Sequence, residues 1–155
     1  MFDGNKVQQE ILKDVFRNNN FSWHYRDIEN NKIAVTNGHA MAIIPDYMMY
    51  LDKEKILWKS RLDNLSAIKS LLNDDEMPDV DMVGILEEWV SGKKVRLCIF
   101  NNRANGERIY VNKRYVDWFA NGRSITFKGC KKGKRIFVYD AQELVGVIMM
   151  ISRKE

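Results

Sequence analysis

The side chains of this sequence best suited to chemistry are two histidines, two cysteines and a crowded run of carboxylates. His24 and His39 are the only histidines. Neither falls in a GxSxG elbow, a phosphate-cradling glycine loop, an HExxH helix or a dinucleotide fingerprint. Asp74, Asp75 and Glu76, followed by Asp79 and Asp81, are close enough in sequence to suggest Mg²⁺ ligation and phosphoryl chemistry. Such a block after a helix is also what a solvated acidic loop looks like. A metal-dependent nuclease or hydrolase is therefore the weaker reading. Cys98 and Cys130 stand alone, with no CxxC pair or Cys/His cluster to hold zinc. No catalytic residue, metal site or cofactor is expected.

These residues must be positioned by the elements around them. At 155 residues, 45% apolar and 11% aromatic, the chain can bury a core. Its formal charge of +4 permits contact with nucleic acid without requiring it. The N-terminus lacks the apolar core of a signal peptide, and no apolar run approaches the roughly 20 residues of a membrane span. A cytoplasmic protein with no membrane partner is the expectation. No internal repeat, low-complexity tract or Gly/Ser/Pro-rich linker marks a domain boundary.

Asn5–Asn18 reads as an amphipathic helix with Val7, Ile11, Leu12, Val15 and Phe16 on its apolar stripe. At ~100° per residue, Lys6, Lys13 and Arg17 gather on the opposite side, interrupted by Glu10. Phe21–Arg26 alternates as a half-buried strand. Ile33–Ile44 is a second strand, interrupted at Thr36-Asn37-Gly38-His39. Asp46–Lys94 reads as an insertion with a helix at Arg61–Leu72, packed on the domain through Trp58 and Trp89. Within it, Val83–Val90 fits helix or strand equally. Strands at Val95–Phe100 and Ile109–Val111 lead to Asn112, a good N-cap, and to a helix over Lys113–Asn121 with Gly122 as its C′ residue. Strands at Ser124–Lys128, Arg135–Tyr139 and Leu144–Ile151 complete the chain, with a hairpin turn at Gly129–Lys134.

Two of these stretches resemble one family. "RIYVNKRYVDWFANGRSITFKG", "KRIFVYD" and "LVGVIMMIS" follow the order of strand, Asn-led helix, antiparallel strands and Met-containing terminal strand in the bacterial DNA sliding clamp, the beta subunit of DNA polymerase III. "KIAVTNGHAMAI" is similar to that family's strand with a Thr-Asp-Gly-His-Arg-Leu core, where Gly38 supplies the kink. Asn37 stands where the family has Asp, and Ala40 where it has Arg. The insertion, approximately residues 46–94, lies outside the pattern. The resemblance implies one α+β clamp-like domain over residues 1–155, with a mainly antiparallel sheet, two helices on one face and the insertion as a helical addition.

The resemblance further implies a non-enzymatic, DNA-associated protein, a processivity or recruitment scaffold in DNA replication. In that family the helices face duplex DNA and touch phosphates without reading bases; the matching residues are Lys6, Lys13, Arg17, Lys113 and Arg114. Partner peptides from replication proteins dock between the Thr-Asp-Gly-His strand and the terminal strand of a neighbouring domain. The positions that match are Thr36, Gly38, His39, Met41, Val147 and Met149. The rival is a protein-interaction module that keeps the fold and does not encircle DNA. One domain cannot close around a duplex, so encirclement requires a homo-oligomer joined at sheet edges, with the terminal strand of one copy meeting the Thr36–Met41 strand of the next.

Overall fold

The computed structural model describes residues 3–18, 23–27, 32–45, 72–73, 77–119 and 124–151. Helix α1 (Gly4–Asn18) opens the fold. Strands β1 (Trp23–Asp27), β2 (Lys32–Thr36) and β3 (Ala40–Pro45) follow as a meander. β4 (Asp79–Val90) and β5 (Lys93–Asn102) form a long hairpin. β6 (Arg108–Asn112) runs directly into helix α2 (Lys113–Phe119). β7 (Ile125–Cys130), β8 (Arg135–Asp140) and β9 (Glu143–Met149) are a second meander. The result is an α+β fold: one antiparallel sheet in the order β1-β2-β3-β9-β8-β7-β4-β5-β6.

That order contains a repetition. Each meander follows a helix, α1 or α2, and the two meanders meet last strand to last strand, with Met41 opposite Val147. No residue period in the sequence marks this symmetry, which is one of topology.

Local chemistry explains both helices. The Asp3 carboxylate accepts the Lys6 N–H at 3.1 Å, capping α1. Val7 and Ile11, one turn apart, point into the core while Lys6 and Lys13 face out. The Asn112 side chain accepts the Arg114 N–H at 2.9 Å, so the cap expected of this residue is formed. Val116, Trp118 and Phe119 are the buried face of α2. Both helices share one core with the same face of the sheet, through Val35, Ile44, Phe100, Ile109 and Ile148 among others. The opposite face carries a smaller cluster of Ala34, Met41, Phe137, Tyr139 and Val147, with Leu72 and Met77 packed against it. Ile151, just past β9, donates its N–H to the Tyr110 carbonyl on edge strand β6 at 2.8 Å.

The insertion differs from the expectation. Asp79–Lys94 is not a helical addition: it is the β4–β5 hairpin, a full member of the sheet. Met82, Ile85, Leu86, Trp89 and Val90 also fit helical spacing, so periodicity alone does not separate the two states. Ser91 and Gly92 decide it, because both take positive φ (52° and 78°) and close a two-residue turn suited to a hairpin. Trp89 is 75% exposed and belongs to neither core cluster of the described residues. The helix expected at Arg61–Leu72, Trp58, and the carboxylates Asp74, Asp75 and Glu76 lie outside the described residues, apart from Leu72 itself. So do the side chains of His24 and Arg17. No helix among the described residues is long and apolar enough to cross a membrane.

Candidate binding hollow and basic groove

The residues of the Thr36–Met41 stretch build a rigid corner between β2 and β3. Thr36 Oγ1 donates to the Ala40 carbonyl at 2.6 Å and accepts the Gly38 N–H at 3.0 Å. Asn37 Oδ1 accepts the N–H groups of both His39 and Ala40 at 2.9 Å. Gly38 takes φ 91°, which an L side chain tolerates poorly. The corner is tied to both helices by a buried carboxylate. Asn37 Nδ2 donates to Asp14 Oδ2 on α1 at 2.8 Å, and Arg114 on α2 donates to Asp14 Oδ1 at 2.9 Å. The guanidinium of Arg114 also lies over the rings of Tyr115 and Trp118. Burial raises the Tyr115 phenol above its ordinary pKa, and the Asp14 charge adds to that. His39 is exposed, and its ring stacks parallel to Tyr115 with centroids 6.0 Å apart.

Beside this corner is an apolar hollow of about 140 Å³ lined by Thr36, Gly38, His39, Ala40, Met41, Val147 and Met149. All six residues placed at a peptide cleft by resemblance converge on it. Its volume is close to the roughly 150 Å³ of an apolar cavity that takes up benzene, so it suits one medium-sized apolar side chain. Met41 and Val147 are themselves nearly buried and also belong to the smaller cluster. The terminal strand reaches the corner within one chain: the Met149 N–H bonds the His39 carbonyl at 2.8 Å. This corrects the expectation that the two strands meet between neighbouring domains or copies. Ala40 is 2% exposed and part of the main core. An Arg at this position would bury a charge.

The five cations placed at DNA behave differently. Lys6, Lys113 and Arg114 do come together, with Lys94 and Arg96 of β5, around a groove of about 560 Å³ that also holds Glu10, Asp117 and Trp118. Sequence reading missed Lys94 and Arg96, which only the hairpin register brings here. Most of these cations already face carboxylates. Lys113 meets Asp117 at 2.7 Å, Lys13 meets Glu10 at 3.5 Å, and Arg114 meets Asp14. Lys94 and Arg96 share Glu87 at 2.9 and 3.0 Å. Lys13 does not line the groove.

Asp79 and Asp81, set apart as possible metal ligands, are both held by Arg103. The guanidinium bonds both Asp81 oxygens at 2.7 Å and approaches Asp79 at 3.9 Å. The bonds from Arg103 hold the Asp81 carboxyl below its usual pKa. No cluster of three or more metal-ligating side chains exists among the described residues. Cys98 is buried and Cys130 half-buried, both as free thiols. Comparison with protein-family models, curated proteins and solved structures finds no match.

Proposed function

We propose that this chain is a non-enzymatic recruitment module with a clamp-like fold. It docks a short apolar segment of a partner protein in the hollow between the β2–β3 corner and β9. One observation carries the reading. Thr36, Gly38, His39, Met41, Val147 and Met149, chosen from a motif in two distant stretches, line a single apolar recess that opens beside exposed His39. A recess walled by methionine and valine suits partners by shape, and methionine adapts to more than one side chain. The N–H groups of residues 37–40 at its rim are already engaged within the corner. Selectivity is then set by apolar fit.

The test is methyl NMR of the methionines during titration with acetylated hexapeptides carrying one Leu, Ile, Met or Phe each. Shifts confined to Met41 and Met149, and lost in Met149→Lys, are the expected outcome. Unmoved methyls with every peptide would remove the reading.

A second reading, phosphate contact with duplex DNA, is favoured by the gathering of Lys6, Lys94, Arg96, Lys113 and Arg114 around one groove. The carboxylates already facing most of these cations make this contact weak. Binding should be sequence-independent, with a log–log salt slope of only about −0.9 per neutralised phosphate. No retention on a duplex at low salt would exclude it.

A further inference from the structure

The β4–β5 hairpin carries an apolar strand that the rest of the described residues leave largely uncovered. Met82, Val83, Ile85, Trp89 and Val90 are each about half exposed or more, and Trp89 reaches 75%. On the side away from β5, β4 pairs with β7 only at Asp79 and Val80. From Asp81 to Val90 no strand among the described residues covers that edge. The five side chains present on the order of 400–500 Å² of apolar surface, shared between the two faces of the strand and comparable with the largest patch of a typical monomer. This is somewhat over half of the roughly 800 Å² per partner in a standard interface, with a backbone edge in addition.

We infer that this edge pairs with the same edge of a second copy, in an antiparallel two-fold dimer centred on Leu86. The backbone dictates which groups are free. The two-residue turn at Ser91–Gly92 makes Val90 and Lys93 a hydrogen-bonded pair. Alternate residues therefore bond β5, namely Val90, Glu88, Leu86 and Gly84. The N–H and C=O groups of Ile85, Glu87 and Trp89 point outward.

A two-fold must match outward residues with outward residues, which leaves few centres. Centring on Glu87 or Glu88 sets a carboxylate against its own copy. Centring on Ile85 draws the bulge between Met82 and Gly84 into the middle of the ladder. Centring on Leu86 leaves Gly84–Glu88 free of the bulge. It places Ile85 opposite Glu87, Glu88 opposite Gly84, and Trp89 opposite Val83 of the second copy.

Charge favours a second copy over other occupants. β4 bears four carboxylates and no cation, which discourages nucleic acid. Glu87 is already held by Lys94 and Arg96, and Asp81 by Arg103. These carboxylates therefore do not call for a basic peptide, and the Leu86 centre sets none of them directly against its own copy. Such a contact uses one surface twice and closes at two, so it does not propagate into a ring.

The test combines sedimentation over a concentration series with cysteine cross-linking of the full chain. In this register Leu86 is a directly facing pair with Cα atoms about 4.5 Å apart, within disulfide reach. Glu88 lies four ladder positions from its own copy, roughly 13 Å away and out of reach. Leu86→Cys should give a covalent dimer under mild oxidation at least tenfold faster than Glu88→Cys or the wild-type thiols. Glu87→Pro removes an outward N–H without touching a β5 bond, and should give a folded monomer by circular dichroism and sedimentation. The inference is overturned by a wild-type chain that stays monomeric throughout. Equal cross-linking at positions 86 and 88, or a dimer that survives Glu87→Pro, overturns it as well.

Discussion

Asn37→Asp installs the residue found in the clamp motif that this stretch resembles, and it should fail badly. Asn37 and Asp14 are both 1% exposed. The Asn37 side chain is oriented without ambiguity, because the N–H groups of His39 and Ala40 both need its Oδ1. Nδ2 is thereby aimed at Asp14 Oδ2, 2.8 Å away. An aspartate at 37 would keep the first two bonds and set a second carboxylate against the first. Two such groups do not both stay ionised in one buried site. Leaving a buried charge uncompensated costs about 3–5 kcal/mol, and Arg114 offsets part of it. A loss of about 3 kcal/mol at neutral pH is expected.

The sign of the pH dependence follows from the shared proton. In the variant the folded pair holds a proton more tightly than the unfolded chain does. Its deficit against wild type should therefore shrink as pH falls, when that proton remakes the lost bond. Urea unfolding of both proteins at neutral and mildly acidic pH measures this. A deficit below about 0.5 kcal/mol, the range of ordinary surface changes, would refute the reasoning. So would a deficit that does not change with pH.

Two further outcomes test the core. A Cβ on Gly146 would sit 2.2–2.9 Å from the Phe119 ring, and that ring is fully buried; Gly146→Ala should cost about 2–3 kcal/mol as an overpacking change, with part recovered in the Gly146→Ala/Phe119→Leu double variant, both read by denaturant midpoint. Burial, helped by Asp117, pushes the Cys98 thiol up to about 11 from 9.0, so iodoacetamide should label Cys130 first in the native protein, and the share of stability due to Cys98 should decline as pH climbs from about 9 through 11.

Much of the fold was legible because local chemistry and periodicity agreed. Asn112 as a cap, the Val7/Ile11 stripe and the alternation of Arg135–Tyr139 each name their element without help from distant residues. The β4 strand was not legible, since its apolar spacing suits a helix as well and the deciding feature is a pair of positive φ angles at Ser91 and Gly92. The hollow was found through a motif that brought Thr36–Met41 and Val147–Met149 together. What the motif left out was how they meet. It did not show that β3 and β9 are neighbours in one chain, nor that Asn37 is required by a carboxylate far upstream on α1. The basic residues were legible only in part. Charge on a helical wheel shows Asp117 one turn from Lys113 but says nothing of a carboxylate brought by another element, as Asp14 of α1 is brought to Arg114 of α2.

The seam between β3 and β9 also sets the order in which the molecule can assemble. Lys32 and Glu143, which form an ion pair across this part of the fold, stand 111 positions apart, and Asp14 waits for a guanidinium 100 positions away. Contacts this distant in sequence make folding slow, because large loops must close before any reward is collected. On the ribosome the first helix and meander emerge early, with Asn37 at hand for Asp14 but with the β3 edge open. That edge remains open until the last strand is made. The N-terminal meander therefore spends translation as an unfinished sheet with an unpaired edge, the kind of surface that invites wrong pairing until β9 covers it.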